Sequence, residues 1–202
     1  MKEIAESLYF NTPIWKTAYP EYVKDLNKLC DPYIKKIRKE NLKKFKKDFG
    51  LSHHSNNLNT DNTFKFLRDI VIGHSNDFMT NSGFDILGKK CMLTELWAQE
   101  FSKKAGGHHS THVHWNQHVS GFYFLKCSDK TSFPKFYDPR AGAMMTKIKQ
   151  IDPEKITPAT DTIHFKIKPG DMIIFPGYLP HEFEVDGGIE PFRFIHWNIQ
   201  YV

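Results

Sequence analysis

The chain has 202 residues, a formal net charge of +5, 40% hydrophobic and 25% charged residues, proportions that exclude disorder as the default and suit one globular domain. No apolar run approaches the roughly 20 residues of a membrane-spanning helix, and the first ten residues carry Glu3 and Glu6 where a secretory signal would have its apolar core. Cys30, Cys91 and Cys127 are widely spaced with no CxxC pair, so they read as reduced thiols and a cytoplasmic location is expected.

Apolar residues recur at helical spacing from Tyr19 to Phe49, with Val23, Leu26, Cys30, Ile34 and Ile37 near one stripe. Pro32 either kinks that helix or begins a second one capped by Asp31. Eight basic residues crowd the same stretch, from Lys35 to Lys47. They could touch nucleic acid or another polyanion, but no aromatic stacking residues are interleaved on the polar side, and a solvated helix face is the better reading. Gly50–Asn62 has no periodicity and reads as a loop that could lie over a site. A second helix is expected from about Asp61 to Met79, on the spacing of Phe64, Leu67, Val71 and Phe78.

From Lys89 the pattern changes to short alternating runs broken by Gly, Pro and Asp. Strands are expected near Cys91–Phe101, Ser120–Lys126, Pro134–Tyr137, Thr162–Ile167, Met172–Phe175, Glu182–Val185 and Phe192–Tyr201. Many short strands without helices between them imply an antiparallel sandwich or barrel. The expectation is a single domain, mainly β with flanking helices, in which residues 1–88 form a strand and helical support and residues 89–202 the barrel.

Five histidines, His108, His109, His112, His114 and His118, fall just before the strand at Ser120, and His181 follows a Pro/Gly-bounded loop. An H-x-H on a strand turns both imidazoles to one face at period 2, and neutral imidazole is the commonest metal-ligating side chain. Twelve residues beyond His181, Arg193 opens the last strand. It shares a face with Ile195, Trp197 and Ile199, so that face is expected to be interior, and a buried guanidinium needs an anion.

The order of His112 before a strand, then P-G-D-M-I-I-F running to His181, then Arg193, resembles the iron- and 2-oxoglutarate-dependent oxygenases. The stretch G-G-H-H-S-T-H-V-H-W-N-Q-H-V-S-G-F-Y-F-L from Gly106 is similar to a subgroup of short oxygenases of bacteria and phages, which also carries a strand ending in D-P-R, here Asp138-Pro139-Arg140. The resemblance implies a double-stranded β-helix (jelly roll, cupin-like) that binds Fe(II) through His112 and His181. It also implies 2-oxoglutarate and O2 as cosubstrates, the far carboxylate of 2-oxoglutarate held by Arg193 with help from Tyr123. The implied reaction is hydroxylation of a C–H bond with release of succinate and CO2.

One position departs from that pattern. The facial triad ordinarily has a carboxylate two residues after its first histidine, and here that residue is His114. Either His114 is the third ligand, which period 2 favours, or Asp138 completes the set. Three functions stay open: a 2-oxoglutarate-dependent hydroxylase, a cupin-like three-histidine metalloprotein that does not use 2-oxoglutarate, and a jelly roll without catalysis. Nothing in the residues names the primary substrate.

Overall fold

A computed structural model of the chain describes residues 10–140 and 148–202. Among these described residues, ten strands form two antiparallel sheets. The larger contains β1 (Trp15–Ala18), β8 (Asp171–Pro176), β5 (Val119–Lys126), β10 (Arg193–Tyr201), β3 (Cys91–Phe101) and β2 (Ser52–His54), in that spatial order. The smaller orders β4 (His109–His112), β9 (His181–Phe183), β6 (Pro134–Tyr137) and β7 (Thr162–His164). The fold is the expected double-stranded β-helix, and the change of period at Lys89 marks its main entrance.

The N-terminal segment does more than support. β1 pairs with β8 and β2 with β3, so each edge of the larger sheet is supplied from the first 54 residues. The stretch read as a loop over the site therefore contributes an edge strand.

Helix α1 (Val23–Phe45) runs without a break through Pro32, so the second start does not occur. It buries Leu26, Cys30 and Ile34, while Lys35, Lys36, Lys39, Lys43 and Lys44 point outward, the solvated face expected of an amphipathic helix. Helix α2 (Lys65–Asn81) follows a short 3-10 turn capped by Asp61, and buries Leu67, Val71 and Phe78. No helix among the described residues is long and apolar enough to cross a membrane.

The larger sheet is covered on both faces, and this decides where every site residue points. Leu96, Ala98, Tyr123, Ile195, Trp197 and Ile199 pack toward the helices in one apolar cluster. Trp97, Phe101, Phe122, Phe124, Phe183 and Phe194 pack between the sheets in another. Each strand of this sheet thus alternates between two buried layers. Gly121 is required where β5 meets β10, because a Cβ there would lie 2.2 Å from the Trp197 ring and 2.7 Å from the Ile173 carbonyl.

Candidate metal centre

The end of β4, the loop after it and the start of β9 bring His112, His114 and His181 together. Their ring centroids are 4.4 Å (His112–His181), 5.0 Å (His114–His181) and 5.1 Å (His112–His114) apart. One nitrogen from each lies within 4.8 Å of the others. The pairing of His112 with His181 across β4 and β9 fixes two of them. His114 lies beyond the strand, not on it, and is held by its backbone N–H donating to the Gly177 carbonyl at 2.9 Å.

Local hydrogen bonds fix two of the tautomers. Nδ1 of His112 donates to the Ser110 carbonyl at 2.7 Å and Nδ1 of His181 to the Leu179 carbonyl at 2.9 Å. A carbonyl only accepts, so both rings keep their proton on Nδ1 and offer the Nε2 lone pair, the usual preparation of a metal-ligating histidine. His181 is fully buried, and its Nε2 has no partner. His114 is prepared differently: its Nδ1 faces Asn198 Nδ2 at 3.2 Å.

Burial holds His109, His114, His181 and His196 neutral. The pKa values of His109, His114 and His181 are pushed down to about 3, mainly by desolvation, with neighbouring imidazoles adding to it. His196, on β10, is entirely buried and is held well below the ordinary histidine range for the same reason. Phe122, Phe136 and Phe175 surround His181 with centroids 5.6, 5.9 and 4.7 Å away, a dry setting in which an unpaired nitrogen is costly and a cation would satisfy it.

Arg193 and Tyr123 are elsewhere. Arg193 takes the helix-facing side of β10, with Nε donating to Glu100 at 2.8 Å and Nη1 to Asp31 at 2.7 Å. Its interior position is as expected, but the interior is the layer under α1 and not the barrel. Tyr123 lies in the same layer, its hydroxyl donating to the Tyr19 carbonyl at 2.5 Å. Asp138 is bound by Arg140 at 2.6 Å and lines a cleft of about 400 Å³ with Asn11, Arg140 and Thr162 that includes none of the three histidines. Asp138 is thus not gathered with them, whereas His114 is.

Three residues were missed: Glu95, Gln99 and His196. Gln99 meets His109 at 2.6 Å. Asn198 donates to Glu95 at 2.7 Å and accepts from Ser120 at 2.5 Å. His196 stacks on His114 at 4.6 Å. Alternation held the signal, since His196 and Asn198 occupy the face of β10 opposite to Arg193.

An antiparallel two-sheet barrel with three imidazoles converging between its sheets is a candidate metal centre. Residues 95–190, a little under half of the chain, match the model of a family described as "Putative 2OG-Fe(II) oxygenase", and the resemblance to the iron- and 2-oxoglutarate-dependent oxygenases is thereby shown. No curated protein sequence matches the chain.

Among solved structures, AviO1 from Streptomyces viridochromogenes Tue57 is similar with TM-score 0.58 at 10% identity, over 94% of this chain and 90% of that one. A prolyl-4-hydroxylase from Pseudomonas putida is similar with TM-score 0.54 at 11% identity, over 94% and 93%. These likenesses concern the fold. An oxidoreductase of the 2OG-Fe(II) oxygenase family from Burkholderia pseudomallei matches with TM-score 0.47 at 10% identity, over 68% of this chain, which spans 56% of that protein.

The family implies Fe(II) and 2-oxoglutarate, and the residues present fit the two unequally. Three convergent imidazoles, two with Nδ1 anchored and two with a buried unpartnered Nε2, fit a divalent iron. A dicarboxylate needs a cation for its far end. Among the described residues Arg193 is the sole fully buried lysine or arginine, and it faces the helices. The space between the sheets beside the histidines is filled by Phe101, Phe122, Phe124, Phe183, Phe192 and Phe194. The residues identified for 2-oxoglutarate do not fit it.

Proposed function

We propose that the protein is a mononuclear non-haem iron oxygenase whose metal is held by His112, His114 and His181. The observation that carries this reading is the buried Nε2 of His181, unpartnered and aimed among two further imidazoles in a phenylalanine-lined barrel. Iron(II), when bound, supplies coordination positions at which dioxygen can react. The chain's own contribution is to anchor Nδ1 of His112 and His181 on carbonyls, to keep the rings of His114 and His181 unprotonated by burial, and to exclude water with the aromatic walls.

For the electron source, the aromatic interior favours a three-histidine centre that does not take 2-oxoglutarate. The family match supports the other reading, hydroxylation of a C–H bond coupled to formation of succinate and CO2. Anaerobic titration of the Fe(II) protein with 2-oxoglutarate, followed through the metal-to-ligand charge-transfer absorbance and then by succinate release in air, separates the two. Iron binding with no band and no succinate is expected. A band with succinate would establish the hydroxylase reading, and a protein that binds no iron would refute both.

A further inference from the structure

Beside the three-histidine centre, Glu95, His114 and His196 present a second set of donor atoms, also within 4.8 Å of one another. We propose that this set is a second metal-ligating position, sharing His114 with the first, and that it takes a divalent first-row transition ion through two histidines and one carboxylate. It deepens the proposed function and rests on the same barrel.

The first observation is His196. Its ring is fully buried, and neither Nδ1 nor Nε2 has a hydrogen-bond partner. A neutral imidazole carries one N–H and one lone pair, and a buried lone pair without a donor calls for a water or a cation.

The second is the way Asn198 is used. Its Nδ2 sits 2.7 Å from Glu95 Oε2 and 3.2 Å from His114 Nδ1. A carboxylate oxygen only accepts, so the amide N–H groups point at both, and Ser120 holds the amide oxygen from the other side. An anionic oxygen and an imidazole lone pair therefore converge on a single donor, the arrangement of acceptors that a small cation also satisfies. The third acceptor, on His196, stacks against His114 with ring planes 26° apart.

The set also supplies what the H-x-H lacks. Three neutral imidazoles leave a divalent ion's charge uncompensated, whereas Glu95 restores the carboxylate of the ordinary facial triad. Glu95 stands on β3 facing between the sheets, in phase with Trp97 and Gln99, so no strand has to move for its carboxylate to enter. Because neutral His114 offers one lone pair to one ion, the two positions are alternatives and the chain holds one ion at a time.

The test uses Co(II), titrated into the full-length protein and followed by visible absorption. His112→Ala/His181→Ala leaves the second set whole: it is expected to bind one equivalent with a spectrum unlike that of the wild type. Adding Glu95→Gln and His196→Leu to it should weaken binding at least a hundredfold. Glu95→Gln/His196→Leu alone should keep one equivalent through the first set. If His112→Ala/His181→Ala is folded by near-ultraviolet circular dichroism and binds no Co(II), or binds it equally well after the two further substitutions, the second position is refuted while the first stands. Should that variant not fold, His181→Ala alone takes its place: Co(II) binding that a further Glu95→Gln weakens supports the position, and binding that Glu95→Gln leaves unchanged overturns it. A wild type that binds no ion would refute the proposed function as well.

Discussion

Replacing Arg193 by alanine removes the cation that ties β10 to α1, and the cost follows from what is left behind. Glu100 is 3% exposed and Arg193 likewise 3%. Glu100 keeps Arg38 at 2.6 Å and Lys126 at 3.5 Å, so its charge is not fully orphaned. Breaking a buried pair from one side costs about 3–5 kcal/mol, and the two remaining partners place this case near about 3. For a chain of this size that lowers the melting temperature by about 6–12 °C.

The pH dependence of this effect has a definite sign. Burial acts to raise the Glu100 carboxyl, but Arg193, Lys126 and Arg38 outweigh it and hold it below its ordinary value. A depressed folded pKa contributes stability above the unfolded value near 4.5, lost as pH falls through the folded one. The variant, with Glu100 less depressed, should therefore lose less stability than the wild type as pH falls below about 4.5, so the difference between the two narrows on acidification. Denaturant unfolding at several pH values measures this, and Fe(II) content should be unchanged because Arg193 faces away from the histidines. Wild-type stability with impaired binding of 2-oxoglutarate would refute the argument and return Arg193 to the barrel.

His114→Ala should reduce Fe(II) affinity more than His112→Ala or His181→Ala, each of which is expected to cost tenfold or more; equal affinity in wild type and His181→Ala by competition against a chelating dye would contradict the site. The metal-free protein should lose stability as pH falls from about 6.5 toward 3, because His109, His114 and His181 have folded pKa values of about 3 and the unfolded chain takes up protons first. Saturating Zn(II) should move that acid transition to lower pH, as seen by tryptophan fluorescence. Gly121→Ala drives a Cβ to 2.2 Å from Trp197 and 2.7 Å from the Ile173 carbonyl, an overpacking of about 1–3 kcal/mol or more; an unchanged melting temperature would show that β5 and β10 can separate.

Much of this was legible in the chain. β3 and β6 run over the residues their alternation predicts, Cys91–Phe101 and Pro134–Tyr137, and the histidines at 112, 114 and 181 come together, although His114 lies beyond β4 and not on a strand as period 2 supposed. Arg193 shows where the reading fails. Alternation establishes which residues share a face, and Arg193, Ile195, Trp197 and Ile199 do share one, but it does not say which of two apolar layers that face meets. With helices on one side and a second sheet on the other, both faces of β10 are buried. The charges that receive Arg193 are Asp31 and Glu100, 162 and 93 residues away in sequence, beyond any local pattern. β2 was hidden because a three-residue edge strand, Ser52–His54, is too short to show a period.

The two faces of β10 also constrain the segment that precedes it. Arg193 and His196 stand three residues apart on one strand and serve opposite layers, so a register slip of a single residue would carry the guanidinium in among the phenylalanines and turn His196 against the helices. Between Phe183 and Arg193 the connection includes Val185 and Ile189, both exposed, and is pinned in its middle by Asp186, which accepts from the backbone N–H groups of Ser132 and Gly188. Its length is constrained in parity: insertions of one or three residues that propagate into β10 would dismantle the metal centre and the helix clamp together, while changes absorbed within the loop would leave both intact.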